Sequence, residues 1–140
     1  SHTLEEIAAL PEITTVFDEI FQRHIESMEV IRKHSTRVGP AVFFDLSGTD
    51  VEGYNKFVPY YLFPDCTYTI SITETGFRTK ISVGSNPWAS HQPERNLATI
   101  CERYGGGSHS RVGAISYSPG ELERARETAR EIVDELAATG

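Results

Sequence analysis

Residues 105–107 are three consecutive glycines, set between a helical repeat and a strand pattern. Glycine loses more conformational freedom on folding than any other residue, so such a run needs a positional reason. Upstream, Asn96 can cap a helix whose inner face is Leu97, Ile100, Cys101 and Tyr104. Downstream, Arg111 to Tyr117 reads as a strand. The order is helix, glycines, strand. A dinucleotide fingerprint needs strand, glycines, helix, and a Walker loop needs a following Gly-Lys-Ser or Gly-Lys-Thr, so both are excluded. Two readings stay open. Gly105, Gly106 and Gly107 could present amides to an anion, with Ser108, His109 and Arg111 adding side-chain donors. They could equally form a helix C-cap and a tight bend before the strand.

The rest of the chain supplies the scaffold. Thr3 and Glu6 have capping-box spacing. Ile13, Val16, Phe17, Ile20, Phe21, His24, Ile25, Met28 and Ile31 form one apolar stripe, which predicts a long helix ending near His34 or Ser35. His24 lies on that stripe and reads as a packed structural histidine. Ala41 to Leu46 reads as a buried strand. Tyr68, Ile70 and Ile72 alternate with Thr67, Thr69, Ser71 and Thr73, which predicts a strand with one buried face. Phe77 to Val83 returns as its hairpin partner. Ser118, Pro119 and Glu121 predict an N-cap, a first-turn proline and a capping glutamate for a last helix. The inner face of that helix is Leu122, Ala125, Ala129, Ile132, Val133 and Leu136. The expected fold is α/β: a mixed sheet of about four or five strands flanked by helices, behind a long N-terminal helix. Residues 1–37 form an N-terminal helical region and residues 38–140 the main domain.

Charge narrows the function classes. The chain has a net charge of -7, which argues against a broad nucleic-acid surface. Only residues 91–120 reverse the sign, with 3 basic against 2 acidic side chains, so a small local anion site fits better than a long track. Cys66 and Cys101 form no Cys-x-x-Cys pair, and Cys101 reads as a core residue in a reducing, cytoplasmic protein. No apolar run is long enough to cross a bilayer. Phe57, Tyr60, Tyr61 and Phe63 read as packing residues more than as a stacking platform, because Lys56 is the lone basic residue nearby. Trp88, between Pro87 and Ser90, is the better exposed-loop aromatic, unless it plugs the sheet edge.

The segment Asn96-Leu97-Ala98-Thr99-Ile100-Cys101-Glu102-Arg103-Tyr104-Gly105-Gly106-Gly107-Ser108-His109 resembles the signature of the DHHA1 domain. Val112-Gly113-Ala114-Ile115 resembles the strand that follows it, and the resemblance covers residues 38–137. It implies the C-terminal substrate-recognition domain of a DHH-family phosphoesterase. In that family a separate N-terminal DHH domain holds Mn²⁺ or Mg²⁺ and hydrolyses phosphoester or pyrophosphate bonds. Gly105, Gly106, Gly107 and His109 would then line the substrate side of the cleft. The expected partners are the DHH domain of the same full-length protein and a phosphorylated small molecule or short oligonucleotide. A homodimer through the long helix is also allowed. Two departures stand out: Ser108 replaces a common fourth glycine, and Gly84-Ser85 stands where several nuclease members carry Arg-Ser. Arg78 and Arg111 are the candidate substitutes.

No Asp-His-His run occurs, and His2, His24, His34, His91 and His109 show no metal-ligand spacing. The chain alone is therefore expected to hold no metal or other cofactor and to be inactive. It begins at Ser1 without an initiator Met, so an upstream catalytic domain is expected. Two alternatives remain: a structural or dimerising domain without a ligand, and a small stand-alone hydrolase built from Asp45, His91 and His109.

Overall fold

The computed structural model describes residues 11–49, 58–88, 96–109 and 112–138. Helix α1 (Pro11–His34) runs directly into strand β1 (Ser35–Val38). At the junction the His34 Nδ1–H donates to Val30 O at 2.9 Å and the Ser35 hydroxyl donates to Ile31 O at 2.5 Å, which occupies carbonyls the helix end leaves open. Gly39, at φ +58°, and Pro40 turn β1 back into β2 (Ala41–Asp45). The pair Gly39-Pro40 therefore closes the β1–β2 hairpin.

The remaining elements are α2 (Val58–Leu62), β3 (Tyr68–Glu74), β4 (Thr79–Ser85), α3 (Leu97–Glu102), β5 (Gly107–His109), β6 (Val112–Tyr117) and α4 (Leu122–Ala137). Among the described residues the strands form one mixed sheet in the order β1-β2-β3-β4-β6-β5. Only β2 and β3 pair in parallel. The predicted mixed sheet with flanking helices is thus present, and the short edge strands β1 and β5 bring it to six. Edge strands this short carry too little periodicity to be read from the sequence.

Side-chain parity decides where the core lies. On the first face, Ala41, Tyr68, Ile70, Ile72, Ile81, Val83 and Ile115 pack against Leu97, Ile100 and Cys101 of α3 and Ala125, Ala129, Ile132, Val133 and Leu136 of α4. Each fully buried Ile or Leu contributes roughly 1.5–3 kcal/mol of burial free energy. The second face carries its own core cluster near β2, where Val42, Phe44 and Leu46 pack with Ile31, Val58, Tyr60 and Cys66. Phe63 packs against this second cluster. Thr69, Ser71 and Thr73 of β3 are also buried, so β3 has two buried faces where the sequence predicts one. Its central place in the sheet explains this, and the Tyr60 hydroxyl meets Thr69 Oγ1 at 2.9 Å.

Further expectations change. Within the described part of α1, Ile31 is buried whereas Ile20, Phe21 and His24 are exposed. His24 is therefore not a packed histidine: the apolar stripe runs beyond the part of α1 that meets the second core cluster. Helix α4 begins at Leu122 and not directly after Ser118, because Gly120 adopts φ +91° and inserts a turn. Glu121 still reaches back, its Oε1 accepting from the Ser118 N–H at 3.3 Å. Thr3 and Glu6 lie outside the described residues.

Burial pushes the thiols of Cys66 and Cys101 up to about 11. Both stay protonated near neutral pH, which makes them poor nucleophiles. A thiol-specific disulfide reagent at pH 8 should label neither cysteine in the native chain and both after denaturation. Rapid native labelling would contradict the packing.

Candidate functional site

The glycine run resolves into three separate roles. The Gly105 N–H donates to Glu102 O at 3.1 Å and the Gly106 N–H donates to Cys101 O at 2.8 Å, the paired bonds of a Schellman C-cap. Gly105 supplies the left-handed backbone at φ +87°. Gly106 is needed for space, because a Cβ there would lie 2.1 Å from Ala114 O on β6. Gly107 begins β5 opposite Ala114, and a Cβ there would meet nothing closer than 3.9 Å. Two of the three amides therefore serve the helix end, as the C-cap reading expects. Ser108 and His109 continue β5 opposite Gly113 and Val112. Their side chains, and all of Arg111, lie outside the described residues.

The neighbouring residues fix this segment. Asn96 Oδ1 accepts from the Thr99 N–H at 3.2 Å, the predicted N-cap. Arg103 makes a two-point bridge to Glu135 at 2.7 and 2.9 Å, and the Tyr104 hydroxyl donates to Glu131 at 3.1 Å. Both tie α3 to α4. The hydrogen bond and charge of Glu135 hold the Arg103 guanidinium above its ordinary pKa.

A surface that the sequence reading did not single out borders β5. The second face of β4 and β6 carries Lys80, Ser82, Gly84, Ala114 and Ser116, half-buried to exposed and outside both core clusters. Ser71 and Thr73 share its parity on β3 but are buried. The signal was present as strict alternation in β3 and β4, but only the register joins those rows into one polar floor. Gly84 keeps the floor low at one end, where a Cβ would strike the Tyr60 hydroxyl at 2.6 Å. At this position, where several nuclease members were expected to show Arg, the space is taken by Tyr60.

Asp45 sits at the far end of the sheet. Its Oδ2 accepts from Arg126 Nε at 2.9 Å, and its Oδ1 accepts from the Ser47 N–H at 2.9 Å and from the Ser47 hydroxyl. Arg126 also donates to Ser47 Oγ at 3.1 Å and to Glu123 at 2.8 Å. The Asp45 hydrogen bond raises the Arg126 pKa above its ordinary value. This carboxylate clasps α4 to the turn after β2. It also cannot share a centre with His109. The register places Asp45 four strands and three residue steps away, roughly 20 Å at strand spacings of about 4.8 Å and rises of about 3.3 Å. A two-metal site needs ions about 4 Å apart. The hydrolase assembled from Asp45, His91 and His109 is thereby ruled out as a single centre. His91 lies outside the described residues. Among the described residues no three His, Cys, Asp or Glu side chains are grouped to hold a metal. Of the other candidates, Arg78 is exposed in the β3–β4 turn, Asp65 pairs with Arg37 at 2.7 Å, and Phe57 and Asp50 lie outside the described residues.

The fold is that of the DHH/DHHA1 family. Among solved structures, a pGpG-specific phosphodiesterase from Vibrio cholerae aligns over 99 % of this chain and 47 % of its own, with a TM-score of 0.81 and 19 % identity. A DHH domain from a member of the S1P family of ribosomal proteins aligns over 86 % of this chain and 33 % of its own (TM-score 0.58, 13 % identity). An exopolyphosphatase-related protein from Bacteroides fragilis aligns over 94 % and 45 % (TM-score 0.57, 12 % identity). The chain thus spans less than half the length of each of these neighbours. No family model and no curated protein sequence matches it. Among the described residues no helix is long and apolar enough to cross a membrane.

Two substitutions test the geometry. Gly106→Ala should destabilise the chain by about 1–3 kcal/mol in urea unfolding, as overpacking does, whereas Gly107→Ala should change it by less than about 1 kcal/mol. Equal effects would contradict the close approach to Ala114. Arg126→Ala should lower stability by about 1 kcal/mol, below the usual figure for charged hydrogen bonds because the pair is part-exposed. Arg126→Lys should restore only part, since an ammonium cannot reproduce the guanidinium fork. An unmoved unfolding midpoint for Arg126→Ala would remove the clasp's stabilising role.

Proposed function

We propose that this domain recognises a phosphorylated substrate, nucleotide or polyphosphate, for hydrolysis by a DHH-type catalytic domain. The observation that carries this reading is the partly open polar surface of β4 and β6, with Lys80, Ser82 and Ser116 on it and β5 along its border. Small hydroxyl side chains and one ammonium can donate to phosphate oxygens, and none of them needs a metal in this chain. The family likeness supports the same direction, since a phosphodiesterase and an exopolyphosphatase-related protein share the fold. In this reading Gly107, Ser108, His109 and Arg111 form the phosphate-gripping edge. Gly105 and Gly106 act indirectly, by setting where β5 begins. The metal, Mn²⁺ or Mg²⁺, belongs to the catalytic domain. The satisfied cap at Gly105 and Gly106 favours a second, purely structural reading for those two residues.

Binding measurements separate the readings. Calorimetric titration with inorganic phosphate and tripolyphosphate should show saturable binding. His109→Ala and Lys80→Ala should each weaken it about tenfold, about 1.4 kcal/mol, with the unfolding midpoint unchanged. Full affinity in both variants would sink the proposed site. Clear phosphoesterase turnover by the chain alone with added manganese would overturn the division of labour.

A further inference from the structure

Gly113 lies on the first face of β6, where the next residues of the same parity, Ile115 and Tyr117, carry large side chains into the core. A Cβ at Gly113 would lie 2.4 Å from Cys101 Sγ, 3.1 Å from Leu97 O and 3.3 Å from Cys101 Cβ. Leu97 and Cys101 stand about one helical turn apart on α3, so the helix lies directly across this residue. Neither has room to yield. Both are fully buried, and Leu97 O is backbone, so it moves only if α3 moves. Close-packed interiors pass such strain on to their neighbours. The absent side chain at Gly113 therefore sets how closely α3 approaches β6.

The same cysteine holds the start of the edge strand. Its carbonyl accepts from the Tyr104 N–H at 3.0 Å and from the Gly106 N–H at 2.8 Å. Gly106 in turn lies against Ala114, the residue after Gly113. Gly113 is itself opposite Ser108, between Gly107 and His109. Among the described residues β5 is three residues long and pairs with β6 alone, so the helix end that feeds it has a large share in placing its first residue. From this arrangement we infer that Gly113 is a positioning residue for the binding edge. Its missing side chain lets Cys101 seat on β6, and Cys101, through its carbonyl, fixes where β5 begins. Gly113 touches no ligand in this account, because its parity directs it at α3 and away from the polar surface of β4 and β6. The role rests on the phosphate-recognition reading and adds to it the contact that keeps the edge in place.

The test reads the edge and the binding together, by amide NMR of the labelled chain and calorimetric titration with tripolyphosphate. Gly113→Ala should shift the Gly107 and Ser108 amides and weaken tripolyphosphate binding about tenfold, since a site held loosely by its support loses affinity. Adding Cys101→Ala in that background removes the struck sulfur and should return both readouts most of the way. Cys101→Ala alone should leave affinity within about twofold, so the two changes couple as touching residues do. Should Gly113→Ala fail to fold, Cys101→Val crowds the same contact from the helix side and should give the same shifts and the same loss. Ile132→Val, which trims the core on α4, serves as the control: it should lower the unfolding midpoint and leave the edge amides and the affinity alone. Native amides and full affinity in Gly113→Ala would end the positioning role and leave phosphate recognition standing. A loss that persists undiminished in the double variant would show that Gly113 does not act through Cys101. If the unaltered chain binds no tripolyphosphate, the recognition reading falls and this inference falls with it.

Discussion

The rest of the structure depends on the alternation of large and small side chains in β3, β4 and β6. Ile70, Ile72, Ile81, Val83 and Ile115 fall on one face and take α3 and α4 against them. The opposite parity holds Ser71, Thr73, Lys80, Ser82 and Ser116, none of which offers a helix an apolar surface. One-sided antiparallel sheets are common because period-two alternation separates core from solvent so cleanly. Here the separation is incomplete. Near β2 the second face regains Val42 and Phe44 and takes up Ile31, Val58 and Tyr60. The polar floor therefore begins beside an apolar wall and ends at a three-residue edge strand, which gives it two unlike borders.

The glycine run shows how a packing constraint can set where an edge strand begins. The Schellman bonds stop α3, and the close approach at Gly106 presses the chain onto Ala114 before β5 begins. Without both, Gly107 would not be in register with β6. The pattern "glycines before a histidine" therefore combines two kinds of residue: those that aim the strand and those on the strand itself. The first kind is explained fully by local geometry, and any gripping role is concentrated in the second.

Much of this was readable in the sequence, for specific reasons. The register of three and four in residues 13–31, the cap at Asn96 and the strand around Tyr68, Ile70 and Ile72 are local signals, and each has its counterpart in α1, α3 and β3, although β3 is buried on both faces. The failures are non-local. His24 lies on the apolar stripe, but no local pattern says how much of a long helix the core will cover. Ser118 and Glu121 have capping spacing, yet Gly120 takes a positive φ and moves the helix start. Asp45 looked like a spare carboxylate because its partner, Arg126, lies 81 positions away. The polar floor escaped notice because no single strand reveals it. Tyr60 over Gly84 was equally invisible, since it depends on a parallel pairing of β2 with β3 that brings α2 back across the sheet.

The layout also bears on how recognition and chemistry are divided. Asp45, the described carboxylate that the sequence offered for chemistry, lies roughly 20 Å from His109 across four strands. Its lone pairs are already engaged by Arg126 and Ser47. A sheet cannot bring such groups together without breaking its own register, and the register is fixed by the buried isoleucines on the first face. The fold can therefore offer shape, hydroxyls and a fixed edge far more readily than a compact reactive centre. The proposed function asks no more of this domain than that, since it assigns the metal to another body. The three neighbours named above are longer chains, and the part aligned with this chain is less than half of each.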